Sequence, residues 1–292
     1  MSSNSISQVI QISQTKLKSH LNLNGIEAKF EAQLLLQHAL QVNRAWFMTH
    51  ETDVLKTDVY ESFKALFCRR LDGEPIAYIL GYREFYGLHL KVSPVTLIPR
   101  PDTETLVDAL LSKITMKECH KQDSNKPVTV LDLGTGTGAI ALAIAKNRPA
   151  ISVFAVDSSQ AVLNIAIENA KNLAIHNVQF ILSDWFNALT DFKFDFIVSN
   201  PPYIEENDAH LLQGDLRFEP LSALASGLDG LDDIRQIIAE TPQYLNPNGW
   251  LMLEHGYNQA DAVATLLNQA GFSEISHVMD LSGIKRVTVG QF

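Results

Sequence analysis

Cysteine is scarce in this sequence: Cys68 and Cys119 are the only two in 292 residues. Two thiols cannot build a disulfide framework, and these two lack the paired spacing of a zinc site. A reducing, cytoplasmic setting is expected. The nine histidines add no paired zinc spacing either, so no metal is expected. No apolar run approaches the ~18 residues that span a bilayer. The stretch Met1-Ser2-Ser3-Asn4-Ser5 lacks the basic-then-apolar layout of a secretory leader. Neither observation favours a membrane role. Basic charge is also short, with 23 Lys+Arg against 33 Asp+Glu and a net charge of −10. Residues 1–100 hold 11 Lys+Arg against 9 Asp+Glu, a balance of +2, and residues 101–292 hold 12 against 24, a balance of −12. Proteins that grip a nucleic-acid backbone carry a basic face, because phosphate neutralisation supplies most non-specific affinity. The larger part of this chain has the opposite sign, which favours a protein or small-molecule substrate.

What is present is the composition of a globular enzyme, 46% hydrophobic and 19% charged. The length suits a large domain with a smaller companion. Residues 1 to about 77 read as helices, with Ile26, Phe30 and Leu34 in one stripe and Val59, Phe63, Leu66 and Phe67 in another. Both stripes are expected to face a core. Residues 78–101 read as an aromatic hairpin turning near Gly87, followed by a stiff Pro99-Arg100-Pro101 passage. Asp102 or Thr103 is the expected N-cap of the next helix, and Lys117 to Pro127 reads as a surface loop. From Val128 strands and helices alternate, which predicts a parallel sheet covered by helices on both faces. The expected strands are Val128–Leu133, Ser152–Val156, Val178–Leu182, Phe194–Ser199 and Trp250–Glu254, with a terminal pair Ile275–Met279 and Arg286–Val289. Residues 102–292 are thus expected to form one α/β domain.

Two motifs carry chemistry. The first is Asp195–Ser199 running straight into Asn200-Pro201-Pro202-Tyr203. Neither proline can donate to a sheet ladder, and each restricts the residue before it, so the strand ends in a rigid extended elbow. That elbow fixes the Asn200 side-chain carbonyl, the Pro201 main-chain carbonyl and the Tyr203 ring in one place. Two acceptors and an aromatic face suit a planar –NH2 group. The second motif is Asp132-Leu133-Gly134-Thr135-Gly136-Thr137-Gly138, where glycines let the backbone turn between a strand and a helix and let a ligand approach. Asp157 follows 19 residues after Gly138, where an acid can hold both hydroxyls of a ribose; capping the following helix is its plainer reading. Asp184 and Trp185, after the third strand, could bond and cover an adenine, against the plainer reading of a buried Trp beside a solvated acid. Ligands of open α/β sheets bind outside the carboxyl ends of the strands, so all four stretches are expected to converge on one crevice.

Further stretches extend this pattern: Gly73–Tyr78, Arg83-Glu84-Phe85, Leu97–Glu104 and Arg217-Phe218-Glu219-Pro220-Leu221. With Asp132–Gly138 and Ser199–Tyr203 they resemble the HemK/PrmC family of peptide chain release factor N(5)-glutamine methyltransferases, from about residue 20 to the C-terminus. The resemblance implies a class I S-adenosylmethionine-dependent methyltransferase fold, Rossmann-like with a seven-stranded mainly parallel sheet and a small N-terminal helical domain. It implies S-adenosylmethionine as cofactor, with Gly134, Thr135, Gly136, Thr137, Gly138, Asp157, Asp184, Trp185 and Asn200 around it. Its implied substrate is the glutamine of the Gly-Gly-Gln motif in class 1 release factors, held by Asn200, Pro201, Pro202 and Tyr203, with the helical domain helping to dock that partner. Catalysis would fall to Asn200, Pro201 and Tyr203, without a general base, in a monomer that needs no nucleic acid. The residues added relative to the family pattern are expected at the N-terminus and near 113–127. Arg100, Glu104 and His255 could border the site, or serve as an ion pair, a cap and a structural histidine. An adenine N(6)-methyltransferase would meet the same planar –NH2 but would need a basic channel for a flipped base. A regulatory nucleotide-binding module would leave the proline elbow without a purpose, and a dehydrogenase would lack an acid/base pair for its hydroxyl.

Overall fold

The computed structural model describes residues 5–119 and 126–292. Two compact units account for them. One comprises the chain up to Gly81 together with Leu212–Phe218, and the other comprises Tyr82–Leu211 and Glu219–Phe292.

The smaller unit is helical: α1 (Ile6–Leu21), α2 (Gly25–Leu40), α3 (Arg44–His50), α4 (Thr57–Leu71) and the short α5 (Ile76–Leu80). Ser5 and Asn24 each begin their helix in a capping box, satisfying main-chain N–H groups that the first turn leaves open. The core takes Leu17 from α1, Ala28, Ala32, Leu35 and Leu36 from α2, and Phe63 and Phe67 from α4. The α4 stripe thus faces inward as expected, but the α2 stripe does not. Ile26 is 85% exposed and Phe30 47%. The buried face of α2 has the same helical spacing shifted by two residues, and its two alanines form part of the surface packed into the core. Arg70 lies among these helices, 4% exposed. Its guanidinium donates twice to Glu31, at 2.7 and 3.1 Å, and once to Asp215 at 3.0 Å.

The larger unit opens with the hairpin β1 (Tyr82–Phe85) and β2 (Leu88–Lys91), joined by Tyr86 and Gly87, both at positive φ as a two-residue turn of this twist requires. The hairpin therefore begins at Tyr82, not Tyr78, because Ile76–Leu80 closes a helical turn capped by Gly81. A 3₁₀ turn (Pro101–Thr103) leads into α6 (Glu104–Cys119). The expected loop from Lys117 is a correction: α6 runs through it, with Leu106, Leu110 and Ile114 fully buried and the Lys117 ammonium 2.8 Å from Asp195. The remainder of that expected loop, 120–125, lies outside the described residues.

Then follow β3 (Thr129–Leu133), α7 (Ala139–Asn147), β4 (Ser152–Asp157), α8 (Gln160–Asn172), β5 (Val178–Leu182), β6 (Phe194–Ser199), α9 (Asp232–Glu240), β7 (Leu245–Glu254), α10 (Ala260–Gln269), β8 (Ser273–Met279) and β9 (Lys285–Gln291). The seven strands order as β5-β4-β3-β6-β7-β9-β8, parallel from β5 to β7, with β9 and β8 antiparallel. This is the seven-stranded, mainly parallel sheet that the resemblance implies. β5 is an edge strand and only half-buried, not the buried strand its apolar sequence suggests. Alternation splits the core: Val130, Phe196 and Val198 face the layer with α6 and α7, and Leu131, Leu133 and Ile197 face the layer with α9 and α10. Chain order reverses direction about β3, since β4 and β5 lie on one side and β6 on the other. That is the place where an open α/β sheet forms its crevice. Among the described residues no helix is long and apolar enough to cross a membrane.

Candidate active site

At the carboxyl end of β3 the chain enters the glycine loop. Gly134, Gly136 and Gly138 all take positive φ. Gly138 has a second constraint: a Cβ there would stand 3.0 Å from Leu142 Cδ1 and 3.3 Å from Ala166 Cβ. A side chain at that position would push α7 away from α8. Asp132, inside β3, is fully buried. Its Oδ2 accepts from Thr135 Oγ1 at 2.7 Å and from the Ala141 N–H at 3.2 Å, while Oδ1 has no hydrogen-bond partner among the described residues. Burial pushes this carboxyl up to about 7.

Asp157 ends β4. Its carboxylate accepts from the N–H groups of Gly136 and Ser159, each at 3.1 Å. Burial pushes its pKa up against these bonds. Ser159, not Asp157, is the N-cap of α8, so the acid is left at the rim. Trp185 follows β5 with φ +44, a left-handed conformation that costs free energy for a bulky residue. Ser183 holds the turn, its hydroxyl donating to Trp185 O at 2.8 Å and accepting from Ala188 N at 3.0 Å. A Cβ on Gly134 would lie 3.5 Å from the Trp185 ring, so that ring lies against the glycine loop.

At the end of β6, Ser199 Oγ donates to Leu133 O at 2.8 Å and locks the two strand ends together. Asn200 follows, its Nδ2 donating to Thr103 Oγ1 at 3.1 Å. Tyr203 packs against the α9/α10 apolar layer, with its hydroxyl 3.5 Å from Glu254 Oε1. Burial, then the Glu254 charge, raises the Tyr203 pKa well above that of a free phenol. Gln259 Nε2 donates to Tyr203 O at 3.0 Å and fixes the far side of the elbow.

These strand ends surround one cavity of about 280 Å³. Gly134, Gly136, Asp157, Asp184, Trp185, Asn200, Pro201 and Pro202 line it. Thr135, Thr137, Gly138 and Tyr203 do not; the two threonines are buried in the loop, and Gly138 starts α7. Leu97, Pro220 and Ser222 close another side. Glu219 holds those two segments together, its buried carboxylate accepting from the Ile98 N–H at 2.9 Å and pairing with Arg100. Arg100 is therefore an ion-pair partner. Glu104 accepts from the Tyr86 N–H at 2.9 Å. His255 is fully buried, with Nε2 2.7 Å from Thr288 Oγ1, the structural placement. Sequence reasoning gave no site role to Asp132, Thr103, Glu219 or Glu254, although the first three stand inside the stretches it singled out. A visible signal existed for Asp132 and Glu254, both acids within or closing apolar strands.

The charge of the lining discriminates among cofactors. Three acids, Asp157, Asp184 and Asp233, line the cavity, and among the described residues no lysine, arginine or histidine does. A pyrophosphate-bearing dinucleotide would meet like charge there, whereas a cationic adenosyl ligand would meet opposite charge. The donor set fits S-adenosylmethionine: carboxylates for ribose hydroxyls and cation, a ring for adenine, and open glycine backbone beneath.

The chain matches two family models, the PrmC N-terminal domain over residues 14–81 and the methyltransferase small domain over residues 107–215. The fold resembles that of the Thermus thermophilus 16S rRNA N2 G1207 methyltransferase, with a TM-score of 0.50 at 20% identity, covering 72% of this chain and 49% of that one. Curated relatives share far more sequence. The release factor glutamine methyltransferase of Xylella fastidiosa is 49% identical, covering 90% of this chain and 93% of its own. The Vibrio cholerae protein of the same name is 49% identical over 90% and 89%, and the Escherichia coli one 44% over 90% and 91%. Identity of 44–49% over nine-tenths of the chain places it in the release factor glutamine methyltransferase family.

Proposed function

We propose that this chain transfers a methyl group from S-adenosylmethionine to the side-chain amide nitrogen of a glutamine, the one in the Gly-Gly-Gln motif of class 1 peptide chain release factors. One observation carries the reading: Asn200, Pro201 and Pro202 line the same cavity as Gly134, Gly136, Asp157, Asp184 and Trp185. On this reading the methyl acceptor and the methyl donor would have adjoining places in one enclosure.

When bound, S-adenosylmethionine supplies a sulfonium-activated methyl group, so no covalent nucleophile is required of the protein. Asp157 and Asp184 would hold its ribose and adenine, with Trp185 over the base and Gly134–Gly138 beneath. An amide nitrogen is a poor nucleophile because its lone pair is delocalised into the carbonyl. Asn200 Oδ1 and the Pro201 carbonyl accept hydrogen bonds from both N–H groups, orient the nitrogen, and favour the positive charge that develops on it before one of those protons passes to solvent. Holding reactants in line can contribute up to ~7–11 kcal/mol. Tyr203 closes the apolar side of the elbow against water. The helical unit serves to dock the release factor, and the enzyme works as a cytoplasmic monomer without nucleic acid.

Incubation with methyl-labelled donor and either a release factor or nucleic acid tests the reading. Label is expected in the release factor alone. Label in DNA or RNA instead would establish the adenine N(6) alternative and sink this one.

A further inference from the structure

Gln259 stands at the N-cap of α10, yet its side chain makes no capping bond. It turns inward and is buried, at 7% exposure. Its Oε1 accepts from the Gly256 N–H at 2.8 Å. Its Nε2 donates to Tyr203 O at 3.0 Å and to Asp229 O and Gly230 O at 3.3 Å each. A main-chain N–H can only donate and a main-chain carbonyl can only accept, so these partners leave the amide one orientation. Three acceptors share its two hydrogens, and the shortest bond goes to Tyr203.

The surroundings hold Tyr203 from other sides. Its N–H and that of Ile204 both donate to Leu224 O, at 3.2 and 2.9 Å. Gly230, at φ +72, comes so close that a Cβ there would stand 2.2 Å from Tyr203 O and 2.8 Å from Gln259 Nε2. Only bare backbone fits beside that carbonyl. Upstream, Pro201 and Pro202 have fixed φ and restrict the residue before each, so few torsions stay free between β6 and Tyr203. The directions of the Asn200 and Pro201 carbonyls therefore depend on where Tyr203 is anchored.

We propose that Gln259 is a positioning residue: by holding the Tyr203 carbonyl it sets the angle at which the Asn200–Tyr203 elbow presents its acceptors to the substrate amide. This rests on the reading of that elbow as the holder of the glutamine side chain. Gln259 does not itself line the cavity, so its effect reaches the reaction through the elbow.

Gln259→Met keeps length and removes both donors. In steady-state methylation of a release factor its kcat is expected to fall at least about 10-fold, since misplacement by an ångström can cost ~100-fold. KM for the release factor and the calorimetric affinity for S-adenosylmethionine should stay near wild type. Assay at a temperature where circular dichroism shows the variant folded separates lost turnover from lost stability. Wild-type kcat in folded Gln259→Met, or an equal loss of cofactor affinity, overturns the assignment. Should Gln259→Met fail to fold, Gln259→Glu takes its place, because a protonated carboxyl keeps one hydrogen for Tyr203 O and an ionised one keeps none. Its kcat relative to wild type should fall between about pH 6 and 9, the range in which a buried carboxyl ionises, and a constant ratio overturns the assignment. The charges near Tyr203, from Glu254, Arg286, Arg100 and Asp102, and the Asp229–Arg235 pair are common to both enzymes, so the ratio isolates residue 259. Failure of both variants to fold would make Gln259 a residue of stability and overturn the assignment as well. A wild-type enzyme inactive on release factor overturns the substrate reading together with this assignment, whereas an active wild type with an equally active Gln259→Met overturns the assignment alone.

Discussion

Asp132 in β3 and Glu254 at the end of β7 are buried carboxyls on the two strands that flank β6. Burial lifts both to about 7, from ordinary values of 3.8 and 4.5. Nearby Asp157 adds to the first shift; Asp102 adds to the second and Arg286 opposes it. A folded chain that keeps protons the unfolded chain would release gains stability at low pH and loses it as pH rises. Their contribution is therefore fully present below about pH 4 and is lost as pH climbs through 7. Thermal melts between pH 5 and 8 should show a shallower pH dependence for Asp132→Asn than for wild type, and equal slopes would contradict the burial argument. Asp157 acts on the ligand side. Asp157→Ala should weaken S-adenosylmethionine about 10- to 100-fold by calorimetry, as expected for lost bonds to a charged acceptor. Asn200→Ala should cut turnover ~100-fold with a smaller effect on cofactor affinity, as for a lost transition-state dipole. Gly134, Gly136, Asp157 and Asn200 could be placed at the cavity from the sequence because each ends or closely follows its strand. Thr103 could not, because it meets Asn200 across 97 residues of chain.

Elements were legible where periodicity met a single burial demand. Strands β3 to β6 stand within a residue of expectation, whereas β7 starts at Leu245, five residues before the expected Trp250. The helices of the smaller unit show where periodicity falls short. On α2 the stripe Ile26, Phe30, Leu34 and the face Ala28, Ala32, Leu35, Leu36 have equivalent helical spacing, and apolar bulk points to the wrong one. Their unequal burial makes a test: Leu35→Ala should cost ~2–5 kcal/mol in urea unfolding, as for a large-to-small core change. Ile26→Ala should stay within about 0.5 kcal/mol, as for a surface site. Equal losses would place the core on the stripe instead. α6 ran past its expected end because Lys117, polar in sequence, reaches Asp195 on β6. An ion pair formed across the fold leaves no local signature.

At the scale of the molecule, alternation of strands and helices foretold a parallel sheet, and the strand-end rule foretold a shared crevice. Segment Leu212–Phe218, which belongs to the helical unit, was not foreseeable, because Asp215 joins Arg70 only in three dimensions. Arg70→Ala should destabilise that unit by ~3–5 kcal/mol in urea, the scale of a broken buried ion pair. The balance of −12 over residues 101–292, with three aspartates and, among the described residues, no base around the cavity, explains why a cationic donor suits this site better than a nucleic-acid backbone. The central claim is that the proline elbow presents a glutamine carboxamide for methyl transfer. Tandem mass spectrometry of a release factor, after reaction with wild type and with Asn200→Ala, addresses it directly. The account predicts one added CH2 on a glutamine side-chain nitrogen, strongly diminished with Asn200→Ala. An added CH2 on another residue, or undiminished transfer by Asn200→Ala, would contradict it.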